Sequence, residues 1–461
     1  MGFFFFFKSV CCHYRKTEYS CHTSSSSLLQ FMSSRLLLLA TAFLGTSAIF
    51  TSPPCKTDAD CSLNGVCTSG ACVCDPGWTT LMTTGGSEPG CGYLDLAPSP
   101  VSICGPGCVF HGGKGGVDKT TTSWGGSVIR EPAATANGDS KFYMFAAEMA
   151  QHCTLSKWTT NSQVVMATST DPLGPFVRQN VAIPPWSHNP EAVLAPDGTW
   201  VIYTLGPGFG KKPQTNCTPG ASTTTAVTVT ADEIAADKEE DGAITANFTL
   251  HYAKSPEGPW SAKTMIVEDW NASWTMQNPG NWNPAPVVLA DGRVQVMAHT
   301  DWGPWSGEVI LEAKTWEGPY QILSGQNYDL LDHCDYCEED PFMWIDTRGH
   351  YHVLYHRMFD AYGLLDSNWG KYNASSKPPG GAVPHGWAGG HAFSADGLKW
   401  STWNRCYNTS LPLTNGTTVE VNRRERPKLL FDPKGKPTHL YNGAITDWGT
   451  YTIVAPINHQ K

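Results

Sequence analysis

From residue 124 onward the chain repeats one pattern in a fixed order: an apolar opening segment with a proline beside an acid or amide, a glycine turn, a β-branched and aromatic strand, and a closing turn. The openings are Ser187-His188-Asn189-Pro190-Glu191-Ala192, Asn281-Trp282-Asn283-Pro284-Ala285-Pro286, Glu338-Glu339-Asp340-Pro341-Phe342 and Arg424-Glu425-Arg426-Pro427-Lys428. Their turns are Asp197-Gly198, Asp291-Gly292, Arg348-Gly349 and Lys434-Gly435, each leading into a strand such as Tyr351-His352-Val353-Leu354-Tyr355. Closing turns match as well: Gly174-Pro175-Phe176, Gly258-Pro259-Trp260 and Gly318-Pro319-Tyr320. With the unit that opens at Trp124-Gly125-Gly126-Ser127, five repeats are countable. A small antiparallel sheet cannot cover both of its own faces, so such units stack in a ring. The expected fold is therefore all-β, a five-bladed β-propeller over residues 123–461. The first strand of each blade would line one channel, and the five openings would converge on its mouth.

Charge narrows the partners. With 31 Lys and Arg against 41 Asp and Glu, the net charge is −10, which repels nucleic acid and anionic membranes. No nucleotide-binding glycine motif, serine-hydrolase elbow or metalloprotease helix is present. Residues 1–50 read as a targeting segment: Arg35 precedes the apolar run Leu36–Leu44, and Thr46-Ser47-Ala48 supplies small residues suited to cleavage. That run is short for a membrane span, and an uncleaved signal anchor is the alternative. Glycosylation acceptor patterns begin at Asn216, Asn247, Asn271, Asn373, Asn408 and Asn415. Together these features predict a secreted glycoprotein.

Of 16 cysteines, six fall at Cys55, Cys61, Cys67, Cys72, Cys74 and Cys91. Cys72-Val73-Cys74 runs into Asp75-Pro76-Gly77-Trp78, and Asn64-Gly65 stands just before the third cysteine. The stretch 51–95 resembles an EGF-like module. That resemblance implies the pairs Cys55–Cys67, Cys61–Cys72 and Cys74–Cys91, the expected staple for a unit too small to hold a core. Ser52-Pro53-Pro54 stands where calcium-binding members carry acids, so no calcium is expected. The module is expected to act as a spacer or docking element, available to another protein or to matrix. Residues 96–122, rich in Gly, Pro and Ser, read as a linker. Seven cysteines lie downstream of the module, including the pair in His333-Cys334-Asp335-Tyr336-Cys337, which reads better as disulfide than as zinc chemistry, and one of the seven is left over.

The repeat, with its Gly-Pro-aromatic turns, Glu338-Glu339-Asp340-Pro341-Phe342 and Glu425-Arg426-Pro427, resembles the five-bladed propeller glycoside hydrolases of the arabinanase and β-xylosidase group, glycoside hydrolase family 43 and its relatives. The resemblance covers about residues 120–458 and implies cleavage of a glycosidic bond by carboxylates from different blades. Nothing in the sequence supports a cofactor or a metal, and none is expected. Glu191 and Asp340 are the expected acid/base pair, with Glu425 as a third carboxylate restrained by Arg424 and Arg426. Trp124, His188, Trp282, Asn283, Glu339, His356 and His391 are the expected sugar contacts. One departure stands out. The family draws a general-base Asp from the first blade, and Ser123-Trp124-Gly125-Gly126-Ser127 holds no acid. A non-catalytic carbohydrate-binding propeller and an extracellular adhesion protein are therefore the rival readings.

Overall fold

The computed structural model describes residues 54–83, 86–87, 89–131, 140–206, 213, 215–218, 248–268, 283–300, 307–323, 338–357, 387–402, 404–421 and 423–459. Five four-stranded antiparallel sheets make up the bulk of it. Blade 1 is Ser123–Arg130, Phe142–Met149, Ser162–Ser169 and Val177–Ile183. Blade 2 is His188–Leu194, Trp200–Leu205, Phe248–Ala253 and Ser261–Met265. Blade 3 is Ala285–Val288, Val294–Thr300, Gly307–Ala313 and Tyr320–Ile322. Blade 4 is Glu338–Ile345, Tyr351–Arg357, Trp387–Ser394 and Asn404–Asn408. The expected five-bladed propeller is what forms.

Blade 5 takes only three strands from the C-terminal end of the chain: Arg423–Phe431, Pro437–Thr446 and Gly449–Pro456. Its fourth is Cys108–Phe110, inside the stretch read as a linker, paired antiparallel to Gly449–Pro456 through Ile453↔Cys108 and Thr452↔Phe110. The ring is thus closed by residues from both ends of the propeller sequence. The pairing covers the long edge of Gly449–Pro456 and leaves a strand of only three residues at the rim, which limits pairing with other chains. Cys104–Cys108 braces this strand, and Val109 and Phe110 are fully buried between blades 1 and 5. Large side chains at alternate strand positions fill the gaps between blades: Phe145, Trp200 and Ile202 between blades 1 and 2, and Tyr203, Leu311 and Tyr320 between blades 2 and 3.

The three disulfides implied by the EGF-like resemblance are present. The module is not a spacer, however. Trp78 is buried and stacks on Trp344 of blade 4 with ring centres 6.3 Å apart. Asp75 pairs with Arg348 at 2.6 Å, and the Asn64 amide meets His391 Nε2 at 3.3 Å. Cys61, Trp78, Cys91 and Leu94 share one apolar cluster with Leu354, Tyr407, Leu429 and Leu440 of blades 4 and 5. A module with so few residues borrows the propeller flank to complete its core. Cys153–Cys217 is a further bridge, and Cys406 is a buried free thiol; Cys334 and Cys337 lie outside the described residues.

Candidate active site

The prolines of the repeat decide where the channel side chains go. Proline offers no N–H to a sheet ladder, so it sits at a bulge. In blades 2, 4 and 5 the pairing skips two residues: Asn189-Pro190, Asp340-Pro341 and Arg426-Pro427. The residue before each proline is left-handed, with φ of 54° at Asn189, 62° at Asp340 and 56° at Arg426; Asn283, before Pro284, has φ 30°. Blade 1 places a bulge at the same point with Gly125 at φ 56°. Bulges re-aim a side chain, and in blades 2, 4 and 5 the one re-aimed is just before the proline.

Four of these side chains meet. The Asn189 amide donates to Asn283 Oδ1 at 2.6 Å, and Arg426 Nη1 donates to the same oxygen at 2.9 Å and to Asp340 Oδ1. Blade 1 contributes no side chain, and a Cβ placed on Gly125 would lie 3.0 Å from the Arg426 Cβ. The arginine stem therefore takes the space that a side chain at this first-blade position would need. His356, on the second strand of blade 4, completes the cluster: its Nδ1 lies 3.0 Å from Asp340 Oδ2. Its Nε2 lies 3.7 Å from Glu339 Oε2 and 3.8 Å from Glu425 Oε2. Asn283 also donates to Glu339 Oε1 at 3.1 Å.

Electrostatics divide these groups. Burial alone would raise the Asp340 pKa, but Arg426, His356 and Lys428 outweigh it and hold the carboxyl well below the usual range, so it stays ionised. His356 goes the other way. Burial works against its charge, yet Glu425, Asp340 and Glu339 together raise its value, which favours the imidazolium. The Glu339, Asp340 and His356 ligand atoms lie within 4.8 Å of one another. That trio would suit a cation only after His356 gave up its proton and Asp340 its arginine, so it fits an ion-pair network better than a metal centre.

Both members of the expected acid/base pair are buried in ion pairs. Glu191 directly follows the bulge, where Lys428 pairs with it and Ser127 Oγ donates to Oε1 at 3.1 Å. Its side chain is 5% exposed and that of Asp340 is 4%. Arg424 does not restrain Glu425 either: its Nε donates to Asn442 Oδ1 at 2.9 Å and its Nη1 to the Asn408 carbonyl at 3.0 Å. Glu425 is held by Arg423, which the sequence reading passed over. Arg426 restrains Asp340 instead. Trp124 is 3% exposed and packs with Ala147, Met149 and Cys153, which leaves no face for a sugar. His391 is not in the channel; it faces the EGF-like module, 4.9 Å from the Trp78 ring. His188 is buried, with Ser162 Oγ at 2.7 Å from Nδ1, and burial helped by Arg426 pushes its value down to about 3. Trp282 lies outside the described residues.

The sequence profile of the Teneurin-like EGF domain matches residues 57–80. No curated protein matches the chain. Among solved structures, the chain is similar to the family 117 glycoside hydrolase Zg3597 of the marine bacterium Zobellia galactanivorans, at 11% identity and TM-score 0.47 over 83% of this chain and 91% of that one. It is similar to the catalytic domain of the GH62 α-L-arabinofuranosidase of Coprinopsis cinerea, at 10% identity and TM-score 0.45 over 79% and 98%. The endo-1,5-α-L-arabinanase of Thermotoga petrophila RKU-1 is similar at 13% identity and TM-score 0.40 over 72% and 71%.

Proposed function

We propose that this chain is a secreted carbohydrate-active protein that cleaves a glycosidic bond at the channel mouth, with Glu339 and Glu425 as the working carboxylates. One observation carries the reading. These two acids, from blades 4 and 5, approach the same His356 nitrogen at 3.7 and 3.8 Å, and their side chains keep 24% and 11% exposure while Glu191 and Asp340 are sealed. Hydrolysis needs one carboxylic acid to protonate the leaving oxygen and one carboxylate to activate water or attack carbon. Asp340 is a positioning residue in this scheme: ionised between Arg426 and His356, it keeps the imidazole oriented toward both acids. Asn189 and Asn283 supply amides at the channel level. Export is supported by five disulfides, which persist in oxidising compartments, and by the exposed acceptor residues Asn216 and Asn415.

The test is release of new reducing ends from a panel of plant- and algal-type oligosaccharides by the wild type, Glu339→Gln and Glu425→Gln. The expected result is release by the wild type and a loss of about 10²–10⁴-fold in each variant. A second reading, carbohydrate binding without cleavage, is favoured by one fact: Gly125 leaves the first-blade position without an acid, and Arg426 occupies its space. Binding of the panel with no release by any variant or by the wild type would select that reading.

A further inference from the structure

Beside the channel, a cleft of about 680 Å³ opens between one end of blade 1 and the glycine-rich stretch 112–118. None of its lining residues belongs to an innermost strand or to the Asn189, Asn283, Asp340, Arg426 and His356 cluster. Its volume falls within the range of small-molecule sites. Its frame is rigid. Buried Glu148 accepts from the Gly113 N–H at 2.8 Å, from Gln163 at 2.9 Å and from Arg178 Nε and Nη2 at 3.0 and 3.1 Å. Asp118 Oδ1 accepts both the Thr120 N–H and hydroxyl, at 2.9 and 2.7 Å, while Oδ2 takes only the Thr121 hydroxyl at 3.2 Å.

The rim is held in an unfavourable conformation. Gln151 and His152 are consecutive left-handed residues, with φ of 60° and 55°, a state that costs on the order of 1–3 kcal/mol each and persists only where its surroundings enforce it. The enforcement is visible: Cys217 N–H donates to the Gln151 carbonyl at 3.0 Å, and Cys153–Cys217 staples the same turn. His152 Nδ1 lies 3.2 Å from both the carbonyl and the hydroxyl of Thr120, which leaves Nε2 without a partner among the described residues.

Among the described residues, the groups left without a partner are mixed. Arg178 Nη1 and the Lys114 ammonium donate, one side of Asp118 Oδ2 accepts, and His152 Nε2 takes either role with its tautomer. An anion entering here would meet Asp118 and Glu148, and a cation would meet Lys114 and Arg178. A neutral hydroxyl, which donates and accepts at once, suits both. The geometry points to this cleft as a second binding site for the hydroxyls of a neutral oligosaccharide, and the assignment rests on the reading that the channel takes a carbohydrate.

The test uses the full secreted chain and titration calorimetry with arabinohexaose and galactohexaose, with trigalacturonate as the charged comparison. Lys114 and His152 are exposed, so the double variant Lys114→Ala/His152→Ala should fold, which its melting temperature verifies. The expected result is binding of a neutral hexasaccharide by the wild type and a Kd raised about tenfold or more in the double variant. An unchanged Kd in a folded double variant overturns the second site while leaving the channel reading intact. Preference for trigalacturonate over both neutral sugars overturns the neutral assignment. Failure of the wild type to bind any of the three overturns the channel reading and this one together.

Discussion

Asp340 and Glu425 stand in similar sequence surroundings, each an acid next to the bulge residue or at it, and the structure gives them different work. Asp340 is buried between Arg426 and His356. Removing one partner of a buried ion pair leaves an uncompensated charge, so Asp340→Asn should lower unfolding free energy by about 3–5 kcal/mol in urea denaturation. Glu425→Gln should cost far less, because its side chain reaches solvent and Arg423 can rehydrate. His356 reports on the same network. Its folded value is raised, so its contribution to stability is fully present below about pH 6.5 and is lost as the pH climbs through that folded value. Glu425 is the largest single contributor opposing burial. An NMR titration of the His356 ring should therefore show a lower value in Glu425→Gln than in the wild type; an equal or higher one would contradict the network.

At the scale of the element, the EGF-like module is part of the propeller wall. Trp78→Ala should cost about 3–5 kcal/mol, the range for emptying a large aromatic site, and should lower the melting temperature of the whole chain in one transition. Acid should loosen the same seam. His391 is buried against Trp78, Trp344, His352 and Asn64, and His352 in turn faces Asp346, with His350 and Arg348 beyond. Burial holds both histidines below their ordinary 6.5, with Asp346 only partly offsetting this at His352. The separated chain then takes up their protons first, so docking is intact above about pH 6.5. It weakens below that, by about 1.4 kcal/mol per pH unit for each histidine. Proteolysis of the 95–103 connection, followed from pH 7.5 to 5, measures this; a rate independent of pH would count against it.

The repeat made much of the whole molecule legible. Prolines at four openings fixed the blade count, and the cysteine order carried the three module bridges. What escaped has physical reasons. His391 sits on the third strand of blade 4, one strand further from the channel than His356, so its ring meets the EGF-like module on the blade's flank. Lys428 and Glu191 belong to blades 5 and 2, and nothing local announces their pairing. The closing strand Cys108–Phe110 could have been found by counting: only three strands fit after Arg423, one fewer than in each of the other blades. Deleting the chain through Phe110 should accordingly open blade 5 and leave an aggregating protein, as size-exclusion chromatography would show.

The most direct test of the account compares kcat/KM for Glu339→Gln, Glu425→Gln and Glu191→Gln on whichever oligosaccharide the wild type cleaves, beside their melting temperatures. The account predicts that the first two keep near-native stability and lose about 10²–10⁴-fold in rate. Glu191→Gln should instead lose stability, because Lys428 is left unpaired in the core, while its folded fraction still cleaves at close to the wild-type rate. Full loss of rate in a stable Glu191→Gln, with Glu339→Gln and Glu425→Gln active, would contradict it.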